Sequence, residues 1–309
     1  MAAPVAAPDI GCRHPEWREV YPGLVAACVS CGLAATTAAI EAHYDEAYFT
    51  GDTAAGLDFD SGFARAFDEA RFVAELERLE SRGLKGSLLD VGCATGAFLA
   101  HARARGWAPR GVEISPYARA AAQRRLGAAV AATVAEIPAA ERFDVVTLHH
   151  VLEHVREPVA FLADEIRPRV GRRLLVEVPN FDSLASRRHG TRWRDLRPDQ
   201  HVFHYTPSTL PRLLSRAGFR VVSVGTLWEP LWSLRTALNT LGLLPALVLP
   251  RRAGPPAGGP AAVDDPAGYR PPAGFRRLLA RASRRALSPI VARLEARGLG
   301  ERLVVEAEP

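Results

Sequence analysis

LLDVGCATGAFL, residues 88–99, reads as the end of a strand, a tight turn and the start of a helix. The apolar run SLLDV (87–91) carries Asp90 at its carboxyl end, Gly92 and Gly96 flank the turn, and AFLAHARARG (97–106) is a helix closed by Gly106. In a parallel sheet, ligands bind at the carboxyl ends of the strands. Glycine there lets backbone amides come close, since no Cβ intervenes. Upstream, Phe72, Val73, Leu76 and Leu79 share one face at helical spacing over 68–82, with Gly83 as the stop. Downstream, RGVEI (110–114) is a strand, and PYARAAAQRRLG (116–127) is a helix opened by proline and closed by glycine. AAVAA (128–132) and FDVVTL (143–148) read as strands, EPVAFLADEIR (157–167) as a helix and RRLLVEVPN (172–180) as a strand. Thr206 caps a helix running from Pro207 to Gly218, RVVSVGTL (220–227) is a further strand, and ERLVVEAEP (301–309) is the last. This alternation predicts an α/β fold with a mostly parallel, doubly wound sheet.

A chain of 309 residues has room for one large core with appendages. Its 48% apolar and 24% charged residues are those of a globular protein, which excludes wholesale disorder. The net charge is +5, but Lys85 is the only lysine, so the positive balance is an arginine-rich composition and no nucleic-acid partner is expected. MAAPVAAPDIGCRHPEW at the start lacks the basic onset and apolar core of a secretory signal. Four cysteines are too few for a disulfide scaffold, and a reducing, cytoplasmic compartment is expected.

What does the loop bind? A dinucleotide fold seats a pyrophosphate with G-x-G-x-x-G. Here the spacing is G-x-x-x-G, and Asp90 precedes it, an anion that repels pyrophosphate and favours a cationic ligand end. Glu113 ends the second strand, 23 residues after Asp90, placed to accept hydrogen bonds from two ribose hydroxyls. S-adenosylmethionine has an ammonium and a sulfonium group, and no phosphate.

The set LLDVGCATGAFL, GVEISPYA (111–118), RFDVVTLHHVLEHVREP (142–158) and the stretch 179–219 resembles class I S-adenosylmethionine-dependent methyltransferases. The branch is the one that includes ubiquinone-biosynthesis O-methyltransferases and sugar- or lipid-modifying enzymes. The resemblance covers roughly 85–230, with Ala94 where many members have glycine. It implies a Rossmann-like, seven-stranded sheet whose last strand is inserted antiparallel. It also implies a cofactor pocket of Asp90, Gly92, Cys93, Gly96, Glu113, Ile114 and Leu148, with Glu136 near the adenine amine or simply solvated on its loop.

The expected reaction moves a methyl group to a small-molecule, sugar or lipid-linked acceptor, at oxygen for preference. The alternative is a non-catalytic partner subunit that binds the same cofactor. A hydroxyl acceptor is helped by a base near neutral pKa, for which histidine is suited. His149 and His150 follow the fourth strand; either is a candidate base or part of the pocket wall. His201 is a candidate for orienting the substrate or pinning its own loop. His150, Glu153 and His154 match a metal-binding trio of the ubiquinone branch, except that histidine replaces glutamate at 150.

Cys28-x-x-Cys31 is half of a zinc-ribbon pattern, and Cys12 with His14 can complete it; zinc or a metal-free relic are both open. The organisation expected is a degenerate ribbon over 1–50, the methyltransferase domain over 51–227, a helical or loop insertion over 228–300, and the final strand of the sheet over 301–309. Within the insertion, 275–297 carries seven arginines and one glutamate. Residues 228–297 therefore read either as a lid on the pocket or as a peripheral contact with the inner face of an anionic membrane.

Overall fold

The computed structural model describes residues 7–37, 45–50, 62–228 and 289–309. Three strands open the chain, β1 (Trp17–Tyr21), β2 (Val25–Cys28) and β3 (Ala34–Thr36), followed by a short α1 (Glu46–Thr50) and a long α2 (Gly62–Ser81). Then come β4 (Ser87–Val91), α3 (Ala97–Ala104), β5 (Ala108–Val112), α4 (Pro116–Leu126) and β6 (Phe143–His149). The helix expected over 157–167 is α5 (Pro158–Ala160) widened into a π turn over Phe161–Ile166. Pro168, which has no N–H to continue a regular helix, stands just beyond it. β7 (Val170–Pro179), α6 (Leu184–His189), β8 (Phe203–His204), α7 (Thr209–Arg216), β9 (Arg220–Leu227) and β10 (Arg302–Glu308) complete the order.

The main sheet runs β5-β4-β6-β7-β10-β9, with β5, β4, β6 and β7 parallel and β10 antiparallel to both neighbours. Both faces are covered, which is why β4 and β6 read as nearly unbroken apolar runs. On one face Leu89, Val146, Leu148 and Val176 pack into the larger core; on the other Leu88, Val145 and Leu175 meet Leu76, Leu79 and Phe98. The strand expected over 128–132 is reduced to a single parallel bridge, Val112 to Ala131. The four residues around Val130 are all alanines, with little to offer a cross-strand neighbour. Six strands, rather than seven, are therefore hydrogen-bonded in this sheet among the described residues.

β1, β2, β3 and β8 form a second sheet. β3 pairs with β8 through Ala34–His204 and Ala35–Phe203, so the N-terminal strands are stitched to the main body. Ile10, Trp17, Cys28 and Leu33 share a core with Leu152, Phe203 and Tyr205.

Of the insertion expected over 228–300, residues 229–288 lie outside the described residues. Helix is described over 289–296, and the Trp228 N–H donates to Glu295 Oε1 at 2.7 Å. Among the described residues no helix is long and apolar enough to cross a membrane, and none of them supports the membrane contact expected of 228–297.

Candidate active site

The loop after β4 is built around a buried carboxylate pair. Asp90 lies opposite Thr147 on β6, whose hydroxyl donates to Asp90 Oδ1 at 2.7 Å. Gly92 has φ 78° and a Cβ there would stand 2.5 Å from Val151 Cγ2, so only glycine fits. Gly96, with φ 76°, caps α3. Between them Ala94 holds a left-handed conformation, φ 46°, and its N–H donates to Glu113 Oε2 at 2.8 Å. Glu113 Oε1 accepts from the Ser115 N–H, also at 2.8 Å. A carboxylate has about four acceptor positions. Glu113 thus ties the loop to the end of β5 and keeps capacity for a diol. Burial pushes its carboxyl up, against the two amides that pull it down.

The remaining expected cofactor residues divide. Cys93 donates its N–H to Val112 O at 3.0 Å, but its thiol is buried in the core with Leu99, and burial pushes it up. Leu148 is wholly buried beneath the loop, and Ile114 stands exposed at the lip. Glu136, expected near adenine or solvated on its loop, accepts from the Ala132 N–H at 2.9 Å.

The histidines take contrasting places. His149 has Asp90 Oδ1 3.3 Å from Nδ1 and Glu75 Oε1 2.8 Å from Nε2, and the edge of its ring meets Phe98. Burial alone would lower this imidazole; the two carboxylates outweigh it and push the group up to about 10. With both nitrogens engaged and the ring cationic, it is a poor base. His150, at φ 54°, sits between Glu153 Oε1 (3.3 Å) and Glu177 Oε1 (3.2 Å), which overcome burial and push it up to about 9. His201 is the reverse: buried, with its ring against His154 at 4.8 Å, it is held well below the ordinary range by burial and the neighbouring imidazoles. His204 is pushed down to about 3 by burial. Ligand atoms of Glu153, His154 and His201 come within 4.8 Å of one another, a set able to hold a divalent ion. His150, expected in that trio, turns its Nε2 to Glu177 instead.

Two acidic residues central to this arrangement went unread in the sequence. Glu75 falls between Phe72, Leu76 and Leu79 on the apolar stripe of α2, where a carboxylate signals a buried partner. Glu177 interrupts the apolar run of β7, fully buried, with Arg302 at 3.1 Å and Arg71 at 3.4 Å.

At the N-terminus Cys12, His14, Cys28 and Cys31 bring four ligand atoms within 4.8 Å of one another. Cys12 Sγ is 3.8 Å from Cys28 Sγ, and Cys31 Sγ is 3.4 Å from His14 Nδ1. The His14 φ of 49° folds the short Cys-x-His step back on itself, which brings both residues into one cluster.

A family model described as a methyltransferase domain matches residues 64–224. Among solved structures, a S-adenosylmethionine-dependent methyltransferase from Archaeoglobus fulgidus is 19% identical, covers 79% of this chain and 94% of its own, and has a TM-score of 0.48. One from Mesorhizobium loti is 16% identical, covering 73% and 92%, with a TM-score of 0.43. Magnesium protoporphyrin IX methyltransferase from Synechocystis is 18% identical, covering 54% and 90%, with a TM-score of 0.42. No curated protein matches the chain.

Proposed function

The chain belongs to the methyltransferase-domain family as a class I S-adenosylmethionine-dependent enzyme, and from that premise we propose that it methylates a hydroxyl of a small-molecule acceptor. The acceptor would lie between the end of β6 and the loop leading into β8. The observation that carries the reading is Glu113, fixed by the Ala94 and Ser115 amides with acceptor positions left over. Asp90 and Glu113 together suit a cationic, phosphate-free cofactor.

S-adenosylmethionine supplies a methyl group on a sulfonium, displaced in line by the acceptor oxygen. Much of such a rate comes from holding the nucleophile close and aligned. The neutral His201 imidazole is suited to orient the hydroxyl by a hydrogen bond, while cationic His149 holds Asp90 in place. His150, braced by Glu153 and Glu177, forms the wall beside them.

Calorimetry with S-adenosylhomocysteine tests the cofactor half. Replacing Glu113→Gln should weaken binding by about 1.5–3 kcal/mol, the scale for hydrogen bonds to a charged group. Unchanged affinity would remove Glu113 from the site. Incubation with methyl-labelled cofactor and a metabolite extract tests the acceptor half; label recovered on nitrogen or carbon sinks the O-methylation reading.

We also propose zinc at the N-terminal cluster. A tetrahedral ion with Zn–S of about 2.3 Å sets its sulfurs about 3.8 Å apart, the separation of Cys12 and Cys28. His14 Nε2 lies 2.9 Å from Pro8 O, which leaves Nδ1 for the metal. Elemental analysis of fresh protein should find about one zinc per chain, lost in Cys28→Ser/Cys31→Ser. Metal-free fresh protein would leave the cysteines as a relic.

A further inference from the structure

At the end of the sheet opposite the cofactor loop, a cleft of about 420 Å³ is lined by Arg82, Arg172 and Arg173. Leu84, Gly171, Glu308 and Pro309 complete its walls. The placement follows from topology. Arg172 and Arg173 stand at the amino end of β7, Arg82 follows the last turn of α2, and the antiparallel β10 brings Glu306 and Glu308 to the same end. Six residues of β7 separate Arg173 from Pro179, about 20 Å at the strand rise.

Charge does not balance there. Glu306 pairs with Arg78 and Arg82, and Glu308 pairs with Arg173 and Arg220. Arg172 donates to the Gly83 carbonyl at 3.2 Å. Four guanidinium groups thus share two carboxylates, and the fifth, Arg172, is held by a carbonyl. Arg173 is the acute case: its side chain is 15% exposed, and its Nε and Nη1 are buried with no hydrogen-bond partner. Burial and the adjacent arginines lower its pKa, yet a guanidinium does not give up its proton in a protein. Those two atoms have no accessible surface, so the donors that an anion in the cleft would meet are the exposed guanidinium groups of Arg82 and Arg172. Guanidinium groups lining one cleft suit the oxygens of a phosphate, which a planar fork can bind two at a time.

We propose that this cleft binds the phosphate group of a small molecule, a phosphate ester or a pyrophosphate, at a site separate from the cofactor loop. Such a site would let a phosphorylated metabolite act on the enzyme, or be held by it, without entering the place where the methyl group moves.

The test is calorimetric titration of the full chain with inorganic pyrophosphate, with sodium chloride holding ionic strength constant. Saturable binding is expected, at least about tenfold weaker in Arg172→Ala and in Arg173→Gln, on the scale of one lost charge-assisted contact. Affinity for S-adenosylhomocysteine should be unchanged in both. Arg172 is exposed, so its removal leaves the fold in place. Heats that never saturate, or variants that bind pyrophosphate as tightly as the parent, overturn the proposal. Should one variant lose S-adenosylhomocysteine binding, the other decides. A parent that binds pyrophosphate but no S-adenosylhomocysteine would sink the cofactor reading and leave this one standing.

Discussion

Two groups of histidines sit within one neighbourhood and hold opposite charge. His149 and His150, at the end of β6, are flanked by Asp90, Glu75, Glu153 and Glu177 and are kept protonated. His201 and His204, on the strand and loop that meet the N-terminal sheet, are packed among other rings and a threonine and are kept neutral. Burial alone pushes both groups the same way, toward the neutral imidazole. What separates them is whether a carboxylate was buried with the ring. The first group is a brace that fixes Asp90 under the cofactor loop. The second is packed against β3, with His204 Nε2 3.0 Å from the Thr36 hydroxyl.

The largest test of this contrast removes the anion behind the brace. Glu177→Ala takes from Arg71 and Arg302 the carboxylate they share and leaves His150 with Glu153 as its remaining carboxylate. Taking one partner from a buried ion pair costs about 3–5 kcal/mol. The denaturant midpoint should fall accordingly; a loss below about 1 kcal/mol, the range of exposed pairs, would mean that water reaches the network.

A second test reads both groups at once through pH. His149 and His150 have folded pKa values raised above the ordinary 6.5, so their stabilisation is full below about 6.5 and is lost as pH climbs through about 9 and about 10. His201 and His204 have folded values depressed, so the unfolded chain takes up their protons first. Their penalty is absent above about 6.5 and grows as pH falls toward about 3. Thermal melts across pH should therefore peak near 6.5. In His149→Gln the alkaline limb should flatten while the acid limb stays; a variant that changes the acid limb instead would reverse the assignment.

The parts of this site that could be read from the sequence are those made by neighbours along the chain. β4, its glycine turn and α3 lie within twenty residues, and each residue there speaks through local geometry: Asp90 ends the strand, Gly92 and Gly96 take positive φ. Glu113 was legible because the next strand repeats the pattern. The brace was not, because its acids come from α2 and β7, and no short-range rule links Glu75 to a histidine 74 positions away. The third strand failed for a different reason. AAVAA has the right length, but alanines give a strand too little to bury. The four ligands at the N-terminus were visible as residue types. That a Cys-x-His step could place both residues in one cluster depended on the left-handed turn at His14, which side-chain spacing does not reveal.

The smallest effect probes the neutral side. Thr36, on β3, donates its hydroxyl to the His201 carbonyl at 2.6 Å and stands 3.0 Å from His204 Nε2. Thr36→Val should cost about 1 kcal/mol, a typical net hydrogen bond, and Thr36→Ser should recover most of it in the same unfolding measurement. A valine variant as stable as the parent would show that β3 contributes shape alone to the His201 loop.

The position of β10 has a consequence for how the molecule is made. Among the described residues β9 has no neighbour in the sheet except β10, and β7 is left with an open edge until β10 arrives. Residues 302–308 are synthesised some 120 positions after β7 has left the ribosome. Until then the nascent chain carries an unpaired edge, with Glu177 still lacking Arg302. Pairing across so long a separation is slow, because loop closure must come before the contacts that reward it. This protein therefore completes its sheet only after residues 302–308 have emerged, and until then it depends on not meeting a second chain with the same edge exposed.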